Sequence, residues 1–127
     1  MKTVVIGGGS IGLAAAVVCH RAGHQVSVFD PVGFQPVQPT VETDARVWAL
    51  GPKSTGFLTG IHAWSPDARV CCYRSMRVID ARSDARVTFE NPRLGHLVEA
   101  HWVRSQLLKI VEQNPIRCQE QRVARVD

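Results

Sequence analysis

The chain has 127 residues, enough for one domain of ordinary size. With 45% apolar and 20% charged residues it is globular in composition and not a disordered segment. Its net charge of +4 comes mainly from arginine, but the arginines form no block and no aromatic-interleaved stripe, so the reading is a solvated basic face and no nucleic-acid partner.

Residues 3–30, TVVIGGGSIGLAAAVVCHRAGHQVSVFD, admit two readings. Lys2, an uncharged run and small residues at 14–16 imitate a secretion signal. The glycines argue against it, because each costs an apolar helix about 1 kcal/mol relative to alanine. In a nucleotide-binding reading each has a use. TVVI (3–6) is a β-branched run typical of a buried parallel strand. Gly7-x-Gly9-x-x-Gly12 follows at once. Gly7 permits the turn out of the strand, Gly9 lets a pyrophosphate approach bare backbone, and Gly12 lets the helix pack on the strand. A helix over about 10–22 then points its N-terminal N–H groups at the phosphates, and Gly23 suits its C-cap. QVSVF (25–29) is the second parallel strand, closed by Asp30. Asp30 lies 18 residues after Gly12, near the ~20 expected for an acid that binds a ribose. With signal and span set aside, a cytoplasmic protein is expected. FAD and NAD both use this fingerprint, and its place at the start of the sequence suggests FAD.

Residues 31–45 contain three prolines and read as a long loop. Pro52 takes the first position of a short helix with Phe57, Leu58 and Ile61 on one side. Pro66 and Asp67 mark a turn. Residues 70–81 read as a strand, ARSD as its turn, and 85–90 as the returning partner, with Pro92 and Gly95 breaking the pattern. Residues 98–113 have helical spacing and end at Asn114-Pro115, and 116–127 read as a final strand pair cut short. Cys19, Cys71, Cys72 and Cys118 form no C-x-x-C, which argues against a disulfide framework or zinc ribbon. His20 and His24, four apart, read as cations at a helix C-terminus and not as metal ligands, so no metal is expected. His96 and His101 read as helix-surface histidines, and no catalytic residue is identified.

Three stretches carry a family resemblance: VVIGGGSIGLAAA with VSVFD; DARVWALGPKSTGFL; and CYRSMRVID followed by LGHLVEAHWVRSQLL. On them the chain resembles the N-terminal portion of the FAD-dependent aromatic hydroxylases of the p-hydroxybenzoate hydroxylase type, closest to the ubiquinone-biosynthesis (2-octaprenylphenol hydroxylase) group. The resemblance implies an incomplete Rossmann-like α/β FAD-binding domain, with a dinucleotide unit over 1–30 and a loop, helix, hairpin, helix and strand over 31–127. It places Gly7, Gly9, Ser10, Ile11 and Gly12 against the FAD pyrophosphate and Asp30 on the ribose. It brings Arg46 near the cofactor and Val123 to the adenine. Relatives often read V-E-N-R where this chain has Val98-Glu99-Ala100-His101, so His101 replaces a usual arginine, and Arg104 or Gln106 becomes a substitute contact. In the whole family NAD(P)H reduces the flavin, which uses O₂ to hydroxylate a phenol ring, here a polyprenylphenol. The family's later Asp-Gly and Gly-Asp-Ala-Ala-His motifs do not occur, which implies a fragment, inactive alone, or a non-catalytic FAD/ADP-binding or assembly module. Association with a membrane surface or a ubiquinone-synthesis complex follows from the resemblance. Self-association is expected from an incomplete sheet.

Overall fold

The computed structural model describes residues 1–35, 44–66 and 69–125. The middle of the expected loop, 36–43, Asp67 of the expected turn, and the end of the expected strand pair, 126–127, lie outside the described residues.

The first thirty residues form the expected unit: strand β1 (Lys2–Ile6), helix α1 (Ser10–Arg21) and strand β2 (Gln25–Phe29). β1 and β2 pair in parallel from Lys2↔Gln25 to Ile6↔Phe29, and β6 (Arg117–Gln119) adds in parallel to the other side of β2. Gly7 leaves β1 with φ +105, the left-handed region that favours glycine. α1 ends at Arg21, with Gly23 at φ +86, so His24 lies beyond the helix and does not share a face with His20. Instead the His24 ring hydrogen-bonds the Thr3 hydroxyl across 2.7 Å, tying the start of β2 to β1.

A second, antiparallel sheet has the order β3-β5-β4, from β3 (Val47–Leu50), β4 (Cys71–Ile79) and β5 (Arg86–Glu99). β3 is absent from the sequence reading. Its four residues pair with the C-terminal end of β5, Val47↔Glu99 to Leu50↔His96. β5 also runs through Pro92 and Gly95, which were expected to end it. The register jumps from Tyr73↔Gly95 to Ser75↔Glu90, so residues 91–94 bulge out of the ladder and Pro92 needs no strand partner for its missing N–H. Gly95 is required by close approach, since a Cβ there would lie 2.6 Å from the Tyr73 hydroxyl oxygen. His96 is therefore a strand residue and not a helix-surface one, with its ring edge-on to Trp64 at 5.5 Å.

Helix α2 (Pro52–Gly60) begins at Pro52 as expected. Leu58 and Ile61 are buried, but Phe57 is half exposed. Helix α3 (Ala100–Glu112) starts directly from the end of β5. It buries Trp102, Val103, Leu107, Leu108 and Val111 against Leu13, Ala16 and Val17 of α1 and Val26 and Val28 of β2. Each such large side chain contributes roughly 1.5–3 kcal/mol on burial. Both helices pack on one face of the parallel sheet. On the other face Val4 and Ile6 are 62% and 57% exposed and share a groove with residues 121–125. β1, whose β-branched run reads as a buried parallel strand, is thus covered on one side and leaves apolar side chains exposed on the other. Residues 120–125 form no strand, so the expected final pair reduces to the three residues of β6.

Candidate functional site

The junctions of β1 with α1 and of β5 with α3 meet at one end of the parallel sheet. Between them lies a pocket of about 380 Å³ lined by Gly8, Gly9, Ser10, Asp30, Val32, Arg46, Trp48, Ala100, His101 and Arg104. It draws together residues nearly a hundred positions apart in sequence.

The glycine loop is held from behind. A Cβ on Gly12 would fall 1.8 Å from the Gly7 carbonyl oxygen, so the helix can approach the turn only with glycine there. Gly8, unassigned in the G-x-G-x-x-G pattern, is equally constrained: a Cβ would lie 2.7 Å from the Phe34 ring and 2.9 Å from Asp30 Cβ. The Gly8 N–H donates to Asp30 Oδ2 at 2.6 Å, and the Val32 N–H donates to Oδ1 at 2.8 Å. On the far side, Arg104 Nε donates to the Gly8 carbonyl at 3.1 Å, while its terminal nitrogens donate to the carbonyls of Gly33 at 2.7 Å and Gln35 at 3.2 Å. Asp30 and Arg104 therefore clamp the loop through its two backbone polar groups. Sequence reasoning named Arg104 as a substitute ligand contact and missed this role, because no local spacing reports a bond between residues 8 and 104. Gln106 is not among the lining residues.

Gly9 differs from its neighbours. It is the N-cap of α1 with φ −73 and ψ 178, which any residue adopts, and a Cβ there would meet no atom within 4 Å. What its bareness preserves is space in the pocket. α1 has no side-chain cap and no acidic residue in its first turn. Its first turn thus meets no capping side chain of its own, the arrangement that suits a phosphate.

Arg46 reaches the pocket from the segment before β3, with its side chain 80% exposed. Its backbone is fixed at both ends: the carbonyl accepts the Ala100 N–H at 2.9 Å, and its N–H donates to Asp44 Oδ1 at 2.9 Å. That N–H is the main reason the Asp44 carboxyl is held below its ordinary pKa, with the His101 ring adding to the effect against the cost of burial. Glu99 is held low chiefly by Arg69, which forms a bidentate pair with it at 2.7 and 2.9 Å.

Of the other residues singled out, Ser10 lines this pocket, and Ile11, 85% exposed, lines an adjoining apolar groove with Trp48, Phe57 and Leu107. Val123 stands elsewhere, against Val4, Ile6 and Phe29 on the open face of the parallel sheet. Among the described residues no helix is long and apolar enough to cross a membrane.

No family model matches the chain. Solved structures do. FqzB matches with a TM-score of 0.69 at 19% identity, over 98% of this chain and 29% of that one. The 2,6-dihydroxypyridine-3-hydroxylase from Arthrobacter nicotinovorans matches with 0.61 at 19%, over 92% and 28%. CtdE, in complex with FAD, matches with 0.56 at 20%, over 93% and 30%. The chain spans less than a third of the length of each. Its α/β fold is that of part of these proteins, one of which is seen in complex with FAD.

Proposed function

We propose that the chain is the FAD-binding segment of a flavin-dependent monooxygenase that hydroxylates a polyprenylphenol in ubiquinone biosynthesis, with NAD(P)H as electron donor to the whole protein. One observation carries the cofactor reading: an uncapped helix start, the bare Gly9 backbone, the Asp30 carboxylate and the Arg46 guanidinium line one pocket. The donor set suits a pyrophosphate with an adjoining ribose. Gly9, Ser10 and the first turn of α1 would receive the phosphoryl oxygens, and Arg46 would add a guanidinium fork. Asp30, whose two oxygens each accept one backbone N–H, retains lone pairs for ribose hydroxyls.

When bound, the flavin supplies the redox and oxygen chemistry, and the protein supplies position and electrostatics. The residues described here would hold the nucleotide half and keep the glycine loop rigid. The substrate and the ubiquinone pathway rest on the sequence resemblance, as does association with a membrane surface or synthesis complex. A cytoplasmic setting rests instead on reading the glycine-rich stretch as a nucleotide loop and not as a secretion signal.

Titrating the purified chain with FAD, ADP and NADH tests the reading. Retained flavin absorbance in the visible supports it. Affinity for ADP without flavin retention favours a non-catalytic nucleotide-binding or assembly module. Preference for NADH over both rules the flavin assignment out.

A further inference from the structure

Asp44 stands between two basic side chains. Its Oδ1 lies 3.6 Å from Arg46 Nε, and its Oδ2 lies 3.2 Å from His101 Nδ1 while accepting the His101 N–H at 3.3 Å. The other ring nitrogen of His101, Nε2, is 3.2 Å from Glu99 Oε2. The imidazole is thus wedged between two carboxylates, with its side chain only 12% exposed. An imidazole with two N–H groups donates to both carboxylates, whereas a neutral ring has a single N–H and serves only one.

The two carboxylates are not equivalent. Glu99 keeps a cationic partner whatever the ring does, because Arg69 grips both its oxygens. Among the described residues the Asp44 carboxylate is flanked by His101 and Arg46 alone of the basic side chains. The remaining charged groups lining the pocket are committed to the backbone: Asp30 to the N–H groups of Gly8 and Val32, Arg104 to three carbonyls. Arg46 is the pocket's one cation with an exposed guanidinium among those residues.

We infer that His101 and Arg46 compete for the Asp44 carboxylate, so that the protonation of the His101 ring sets how far the Arg46 guanidinium is available to a pyrophosphate in the pocket. His101 is then a positioning residue acting through Asp44. With the ring cationic, Asp44 is neutralised by His101 and Arg46 turns to the ligand. With the ring neutral, the Asp44 charge draws Arg46 back. The inference rests on the reading of the pocket as a pyrophosphate site, and it adds a pH response to that site.

FAD is the suitable probe, because a pyrophosphate diester keeps its charge across the range where histidines titrate, whereas the terminal phosphate of ADP does not. The wild-type chain should bind FAD about two- to fivefold more weakly once the His101 ring has lost its proton, the modest change expected where the responding guanidinium is solvent-exposed. D44N should abolish the pH dependence and keep the tighter affinity throughout. H101Q should also be flat, at the weaker affinity. A wild-type affinity that does not change with pH, or a D44N variant that keeps the full response, overturns the inference. A ligand-free measurement separates this from the pocket reading. The Arg46 Nε–H resonance should shift as His101 deprotonates in the wild type and stay still in D44N. Absence of that shift overturns the competition even where FAD binds. Its presence in a chain that binds no FAD leaves the competition for Asp44 standing and removes the pyrophosphate assignment.

Discussion

Asp30 makes the glycine loop rigid by taking a backbone N–H on each carboxylate oxygen. Asparagine can accept only one of these, and its amide would place a donor against a donor. D30N should therefore lose about 1–3 kcal/mol of stability, the usual cost of an unsatisfied polar group, read as a lower chemical-denaturation midpoint. The neighbouring glycines separate folding from binding. At Gly9 the backbone already has a conformation open to any residue and a Cβ meets nothing, so G9V should melt as the wild type does yet lose at least tenfold in FAD affinity. At Gly12 the added Cβ strikes the Gly7 carbonyl, so even G12A should lower the melting temperature. Equal effects of the two variants on melting would contradict this assignment of the loop. The turn at Gly7 and the close helix approach at Gly12 were legible in the sequence because both depend on local spacing, whereas the two backbone bonds that Asp30 accepts were not part of its reading as a ribose acid. Gly8 and Arg104 were not legible either: the first needs the position of Phe34, the second a contact across most of the chain.

At the scale of elements, the segment at Asp44–Arg46, the end of β5 and the start of α3 are joined by the Asp44, Glu99, His101 and Arg69 side chains. Asp44 and Glu99 are held below their ordinary values of 3.8 and 4.5, as is Asp80 in the β4–β5 turn, where the Arg82 N–H is the main cause. Carboxyls with depressed pKa values bind fewer protons when folded than when unfolded, so stability rises with pH across that interval. The contribution is complete above about pH 4.5 and is lost as pH falls through the lowered values. The melting temperature should thus drop steeply below about pH 4, and less steeply in E99Q, whose neutral amide cannot be protonated there. The hairpin, α2 and α3 were legible from turn residues and periodicity. β3 was not, since four residues between a loop and a proline give too short a period, and it exists because the end of β5 offers it a partner. Pro92 and Gly95 misled for a related reason. Both break a strand in isolation, yet a bulge of four residues absorbs the proline, and the glycine makes room for Tyr73.

For the molecule as a whole, one helical layer covers one face of a three-stranded parallel sheet, and L107A in that layer should cost roughly 2–5 kcal/mol. The opposite face leaves Val4 and Ile6 more than half exposed. A second apolar surface stands on the far half of β4–β5, where Met76 pairs with Phe89 and Val78 with Val87 on one side of the ribbon, all four exposed. Contiguous apolar surface of this kind drives association. The two surfaces are distinguishable by substitution. Threonine keeps strand propensity while adding a hydroxyl, so V4T/I6T and M76T/F89T should leave the melting temperature nearly unchanged. Sedimentation velocity on the isolated chain should show concentration-dependent self-association. The sheet-face pair should weaken it more than the ribbon pair, because residues 121–125 and β1 form a groove there, whereas the ribbon offers only a narrow two-stranded face. A monodisperse wild-type monomer, or an association that neither pair weakens, would show that these faces do not attract one another in water.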